Sequence, residues 1–187
     1  MPLKTKWIVF AVLAAAILVL GGLLINAGPG AVSDTHQETI RIGVAGLVNH
    51  TVVYTLNDIM TMPNVTVVAE LVCVSGRSLG THNWTGVRLA DLLNDAGVLD
   101  GVVKVAFTAT DGYTTDLTLQ DAMREDVIVA FIKDGAPMNE NTRLVVPGKW
   151  GYKWIADIAY IQLVDFDFKG TYEKQGYSDD AFISGPH

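Results

Sequence analysis

The sequence predicts an α+β fold: a single mixed, sheet-rich domain preceded by one N-terminal transmembrane helix. Segments in which apolar residues alternate outnumber those with helical spacing. The helical segments are short and scattered between strand pairs, without the regular strand-helix alternation of a doubly wound sheet. One unbroken apolar run, Trp7 to Ile25, stands apart at the N-terminus. With that run set aside, a chain of 187 residues has room for one domain of ordinary size with a hydrophobic core.

Trp7 to Ile25 is nineteen residues of apolar or glycine character, close to the ~20 that cross a bilayer as a helix and longer than the roughly 7–15 of a signal-peptide core. Residues 1–27 therefore read as a retained anchor, with cleavage after Ala27 as the alternative. Lys4 and Lys6 precede the run and no lysine follows it closely, which leaves the N-terminus in the cytoplasm and the domain outside. Residues 28–38 are small and polar and read as a tether, and the domain occupies 39–187.

Within the domain, Ile40, Ile42 and Val44 alternate with polar or small residues and pair with Val52-Val53-Tyr54 across a Gly46/Asn49-His50 turn. Thr55 followed by Asp58 marks a short helix, stopped by Pro63. A strand spans Val65 to Val74. Leu89, Leu92, Leu93 and Ala96 lie on one face of a helix read from Thr85 and closed by Gly97. Val102 to Thr108 is a strand, Asp111-Gly112-Tyr113 a turn, and Thr118 begins another short helix. Val127 to Ile132, Arg143 to Pro147 and Ile155 to Val164 complete the strands, with a turn at Lys133-Asp134-Gly135-Ala136-Pro137.

The formal net charge of -7 and a pI near 4.9 argue against nucleic acid or an anionic lipid surface as partner, since both would repel the chain. Paired-cysteine zinc spacing, a dinucleotide fingerprint, a P-loop and a Gly-x-Ser-x-Gly elbow are all absent from the sequence. Cys73 is the single cysteine, so an exported chain cannot close an internal disulfide with it. Its thiol is then either an inert core group or a reactive or metal-binding one at the end of a strand. Pro147-Gly148-Lys149-Trp150-Gly151-Tyr152-Lys153-Trp154 combines glycines that admit close backbone approach, two ammoniums and flat aromatic faces. That mixture suits an anionic heterocycle or, alternatively, a tight turn with core tryptophans and solvated lysines.

Three stretches, taken in order, resemble the molybdopterin-binding domain of the sulfite oxidase superfamily. They are Leu71-Val72-Cys73-Val74-Ser75-Gly76, Trp84-Thr85-Gly86-Val87-Arg88-Leu89-Ala90-Asp91-Leu92-Leu93, and Arg143 through Trp154. The resemblance runs from about Arg41 to Tyr177. It implies a molybdenum-molybdopterin cofactor, with Cys73 as the protein thiolate on the metal, and two-electron, oxygen-atom-transfer chemistry on a small-molecule substrate. Lys149, Trp150, Gly151, Tyr152 and Lys153 would contact the cofactor, the two lysines at its phosphate and Tyr152 through a hydrogen bond. The same resemblance nominates Arg77 for a substrate oxyanion, His82 for the metal pocket or the pterin, and Tyr177 for a place near the metal.

The pattern departs from larger relatives in lacking an Arg-Asn-His type segment ahead of the first strand and a Leu-Pro-Pro-Glu-His-Gly loop, reduced here to Pro137 through Thr142. The expectation is a short, membrane-anchored oxidoreductase exchanging electrons with a neighbouring redox protein such as a cytochrome. The rival is a non-catalytic binding module on the same scaffold that has lost the cofactor or holds another small anion. A glycoprotein reading draws on the triplets at Asn49, Asn64 and Asn83 and ranks last.

Overall fold

The computed structural model describes residues 40–184. The apolar run, the tether and Thr39 lie outside the described residues, and the anchor expectation with them. Among the described residues no helix is long and apolar enough to cross a membrane.

Among the described residues ten strands form two sheets. The first contains β1 (Arg41–Gly46), β2 (Val52–Thr55), β5 (Lys104–Ala109), β6 (Thr114–Thr118) and β10 (Ile158–Val164) in the order β2-β1-β10-β5-β6. Only the β1–β10 pair within it is parallel. The second contains β3 (Val65–Val72), β4 (Ser78–Arg88), β7 (Ile128–Lys133) and β8 (Ala136–Pro137) in that order, with β9 (Arg143–Val145) also paired to β7. The helices are short: α1 (Leu56–Thr61), α2 (Leu89–Ala96) and α3 (Leu119–Ala122). Strands thus dominate and the α+β reading holds.

The local rules that predicted the helix ends operate as expected. Thr55 and Asp58 form a reciprocal capping box on α1, the Thr55 hydroxyl accepting from the Asp58 amide at 3.1 Å and the Asp58 carboxylate from the Thr55 amide at 2.8 Å. Gly97 closes α2 with φ 74, a left-handed geometry that glycine adopts without a Cβ clash. Leu89, Leu92, Leu93 and Ala96, the face read from spacing, are fully buried.

Two strands depart from the sequence reading. Residues Thr85 to Arg88, read as the first turn of a helix, are the end of β4, and α2 begins only at Leu89. Here β4 is hydrogen-bonded to β3 on one side and β7 on the other, and this two-sided pairing overrides helical spacing. The rest of β4, Ser78 to Asn83, carries little apolar alternation because none of these residues is buried on either face, so sequence patterning does not reveal it. β6 is likewise hidden, its Thr115 and Asp116 buried against polar partners where an apolar strand residue is the usual expectation.

Residues from both sheets and from α2 share one buried apolar cluster, with Trp84 and Trp154 in edge-to-face contact at 5.7 Å inside it. Each indole N–H is satisfied, Trp84 donating to the Ala69 carbonyl at 3.1 Å and Trp154 to the Lys149 carbonyl at 3.1 Å. Trp154 thereby ties the core to the loop that follows β9. Leu92 lies at the centre of the α2 contact and has no exposed surface. Leu92→Ala should lower unfolding stability by about 2–5 kcal/mol, read from the urea midpoint at unchanged slope.

Candidate functional site

β3 ends at Val72, and the chain reverses at once through Cys73 to Arg77 into β4. The reversal is closed by backbone bonds, Gly76 donating to the Cys73 carbonyl at 2.8 Å and Cys73 to the Arg77 carbonyl at 2.9 Å. Cys73 is half-buried, and its thiol is held below the usual thiol range. The Ser75 hydroxyl is the main cause, followed by the Ser75 amide; burial works weakly against them, and the Arg77 guanidinium adds to the stabilisation of a thiolate.

Cys73 lines a cavity of about 400 Å³. Leu71, Val74 and Leu79 line it near Cys73, joined by Gly151, Tyr152 and Trp154 from the loop after β9. Gly151 is required by close approach, since a Cβ there would stand 3.0 Å from the Val72 carbonyl and 3.2 Å from the Leu71 side chain. The remaining wall comes from the β5–β6 turn with Asp111 and Tyr113, from Arg143 and Asp157, and from Tyr172.

The polar groups of this wall are fixed by their neighbours. Arg143 donates through Nε to Glu140 at 2.7 Å and through Nη1 to the Trp154 carbonyl at 3.0 Å, which orients its guanidinium plane. The Glu140 carboxyl is partly buried, but its bond to Arg143 wins and holds it below the usual range. Tyr113 donates to the Tyr152 carbonyl at 2.6 Å, and Tyr152 to the Ser178 carbonyl at 2.6 Å. Burial, reinforced by the nearby Glu173 charge, pushes both phenols well above the usual tyrosine range, so they stay protonated. Tyr152 stacks on Tyr172 at 5.4 Å with planes 10° apart. Asp111 and Asp157 each commit one oxygen, to the Tyr113 amide at 2.8 Å and the Asn141 amide at 2.9 Å.

Of the residues nominated from sequence, the structure brings Cys73, Gly151 and Tyr152 to one cavity. Arg77 is exposed in the turn beside the thiol. Tyr177 does not line the cavity but packs behind it, 5.0 Å from Tyr172 and 5.8 Å from Tyr152. The other four are placed elsewhere. Lys149 is buried and bonds Asp121 at 2.9 Å and the Asp180 carbonyl at 2.6 Å, with its ammonium 3.8 Å from the Phe182 ring. Lys153 is buried and bonds Glu173 at 2.6 Å and Asp116 at 3.1 Å. Trp150 is buried in a small cluster with Val72, Tyr152 and Ala181. His82 turns to Asp134, with Nδ1 2.6 Å from the carboxylate and Nε2 3.1 Å from the Leu79 carbonyl. The phosphate role expected of the lysines and the pocket role expected of His82 find no support in these placements, because internal acceptors already occupy those nitrogens.

Sequence reasoning passed over Arg143, Tyr113, Tyr172, Asp111 and Asp157 as wall residues. Arg143 opens a motif it did use, and Tyr172 stands five residues before the tyrosine it preferred. The donor set fits a pterin-bound metal: a thiol biased to thiolate, an oriented guanidinium, flat phenol faces and carboxylate oxygens able to accept from ring N–H groups.

Comparison with known proteins agrees. A family model described as an oxidoreductase molybdopterin binding domain matches residues 29–172. The uncharacterized oxidoreductase YuiH of Bacillus subtilis (strain 168) is 30% identical, the alignment covering 73% of this chain and 71% of that protein. A nitrate reductase [NADH] of Ulva prolifera is 27% identical over 76% of this chain but only 21% of its own length. The crystal structure of the sulfane dehydrogenase SoxCD from Paracoccus pantotrophus superposes with a TM-score of 0.66 at 22% identity, covering 74% of this chain and 41% of that one, a likeness of fold. The chain thus spans much less than two thirds of the last two. On the family match and the Bacillus relative, this chain belongs to the oxidoreductase molybdopterin binding domain family, whose cofactor is molybdenum-molybdopterin.

Proposed function

We propose that this chain is an extracytoplasmic, membrane-tethered oxidoreductase domain in which Cys73 supplies the protein thiolate to the metal. The observation that carries the reading is the position of Cys73. It lines the same cavity as Gly151 and Tyr152, beside groups that favour loss of its thiol proton. When bound, the cofactor supplies two-electron redox chemistry with transfer of an oxygen atom.

The polypeptide's own part is to hold and shield. The short turn after β3 fixes the position of Cys73, and Ser75 and Arg77 favour loss of its thiol proton. Arg143 offers its remaining N–H groups to an anionic oxygen, since only Nε and Nη1 are engaged internally. Tyr152 and Tyr172 present aromatic surface, and Asp111 and Asp157 each keep a carboxylate oxygen for ring N–H donors. The apolar side, Leu71, Val74 and Leu79, limits water around the sulfur. The substrate is a small molecule reaching this cavity, and the electron partner is a neighbouring redox protein such as a cytochrome. The membrane anchor in this reading is the apolar run Trp7 to Ile25, joined to the domain by the tether at 28–38.

One observation favours the binding-module reading. With Lys149 and Lys153 engaged elsewhere, Arg143 is the cation on the cavity wall among the described residues, which weakens the hold on a phosphate. Metal analysis separates the two. Full-length protein purified from its molybdenum-replete native host should carry close to one molybdenum per chain with an extractable pterin. Cys73→Ser should reduce bound metal by more than the ~10–100-fold typical of outer-sphere changes. Wild-type protein without molybdenum or pterin would leave the binding module.

The thiol can be titrated directly, because the chain has one cysteine. In molybdenum-free protein, the alkylation rate of Cys73 should rise with a midpoint below the about 8.5 of an ordinary thiol. Ser75→Ala and Arg77→Ala remove groups that favour the thiolate, so each should move the midpoint upward.

A further inference from the structure

The sequence-read phosphate lysines lead to a different role. Residues 169–183 leave β10 and run across the edge strand β6 and the loop at 147–153. Four carboxylates and three ammoniums meet where they cross, Asp167 lying just ahead of the tail, 3.6 Å from Lys104 and 3.0 Å from Lys169. From the body come Lys104 on β5, Asp116 on β6 and Lys153; from the tail come Lys169, Glu173 and Asp179. Lys104 bonds Asp116 and, at 2.6 Å, Asp179. Lys153 bonds Asp116 at 3.1 Å and Glu173 at 2.6 Å, and Lys169 bonds Asp179 at 2.9 Å. Lys104, Asp116, Lys153 and Glu173 are all buried.

Further contacts extend the seam on both sides. The Thr171 amide donates to the Thr114 carbonyl at 2.8 Å, the Trp150 amide to the Ala181 carbonyl at 2.8 Å, and the Ile183 amide to the Gly148 carbonyl at 3.0 Å. Gly170 sits so close to β6 that a Cβ there would lie 2.5 Å from the Thr115 Cα. Lys149 reaches the tail through the Asp180 carbonyl. Held this way, the tail delivers Tyr172 to the cavity and stacks it on Tyr152.

We propose that residues 169–183 are a strap forming the tyrosine wall of the cavity, and that Lys104, Lys149 and Lys153 are positioning residues that fasten it. Lys104, Asp116, Lys153 and Glu173 are desolvated, while Asp167, Lys169 and Asp179 form the solvent edge of the cluster; removing one buried member leaves an opposite charge buried with a partner missing, while removing an opposed pair does not. Burial raises the carboxyl of Asp116 against the pull of Lys153 and Lys104, whereas at Asp179 the bonds to Lys104 and Lys169 overcome burial and lower it. Glu173 bonds through Oε1, and its Oε2 is buried without a hydrogen-bond partner, a cost the ion pair with Lys153 must offset.

The role of this wall in catalysis rests on the proposed function, but the test does not need the cofactor. It uses full-length chain from molybdenum-depleted cells, so absence of metal in the native protein would leave it standing. Hydrogen exchange followed by mass spectrometry reads the strap, and the ratio of Cys73 labelling by a bulky maleimide to that by iodoacetamide reads the wall. In the wild type the amides of Thr171, Trp150 and Ile183 should exchange as one protected unit. Lys153→Met should speed exchange of peptides covering 169–183 by at least tenfold and raise the labelling ratio severalfold, with β1, β5 and β10 still protected. Lys153→Met combined with Glu173→Gln should recover most of both effects. If Lys153→Met fails to fold, Lys169→Met at the solvent edge of the cluster carries the same test, with a smaller shift of the same sign. Unchanged exchange and labelling in a folded single variant, or wild-type strap amides that exchange as fast as exposed turns, would overturn the proposal.

Discussion

A carboxylate buried between two buried ammoniums constrains the rest of this molecule. Asp116 lies on an edge strand, where a charged residue normally faces water, and it bonds Lys104 from the neighbouring strand and Lys153 from a distant loop. Each of the three needs close opposite charge to stay ionised and buried, because each charge removed from water costs several kcal/mol, and Asp179 beside Lys104 and Glu173 beside Lys153 extend the set. The edge of the first sheet, the loop after β9 and the C-terminal segment are consequently one electrostatic unit. Breaking such a unit on one side alone typically costs about 3–5 kcal/mol.

That unit explains how a rigid sulfur and an aromatic wall come to share a cavity. Cys73 belongs to the second sheet, at the end of β3, while Tyr113 comes from the first sheet and Tyr172 from beyond it. Tyr152 and Trp154 connect the two sides: Trp154 is anchored on Trp84 of β4, and Tyr152 is held by Tyr113 and by the tail through Ser178. The cavity is therefore assembled from three parts of the chain, and its dimensions follow from packing at Trp84 and Trp154 together with the charges around Asp116. A thiol biased to its anion at such a junction is consistent with a metal ligand and is a poor fit to an inert core group, which burial would keep protonated.

Much of the fold could be read where one rule dominated. The capping pair Thr55/Asp58, the buried face Leu89, Leu92, Leu93 and Ala96, and the Gly97 stop depend on local geometry alone. β4 and β6 could not be read, because what makes them strands is pairing with residues distant in sequence and, at Thr115 and Asp116, burial against polar partners. The site divided along the same line. Cys73, Gly151 and Tyr152 belong to motifs whose local form places them, whereas Arg143, Asp157 and Tyr172 reach the cavity only through tertiary crossing of β9, β10 and the tail.

Lys149 and Lys153 show why motif chemistry needs a count of donors. A lysine ends in one nitrogen with three donors, and at Lys153 the directions toward Glu173 and Asp116 are filled, with Asp179 3.9 Å away on a third. Lys149 is filled similarly by Asp121, the Asp180 carbonyl and the Phe182 ring. An ammonium so enclosed could turn to a phosphate only by stripping a buried carboxylate of its partner, and the loss would oppose the gain. Arginine differs, because its five donors are spread over three nitrogens. Arg143 engages Nε and Nη1 with Glu140 and the Trp154 carbonyl, and this internal bonding orients the plane without exhausting it. Donor geometry therefore assigns the cavity's cationic contact to the residue with capacity left over, and gives the lysines the structural task of keeping the tyrosine wall in place.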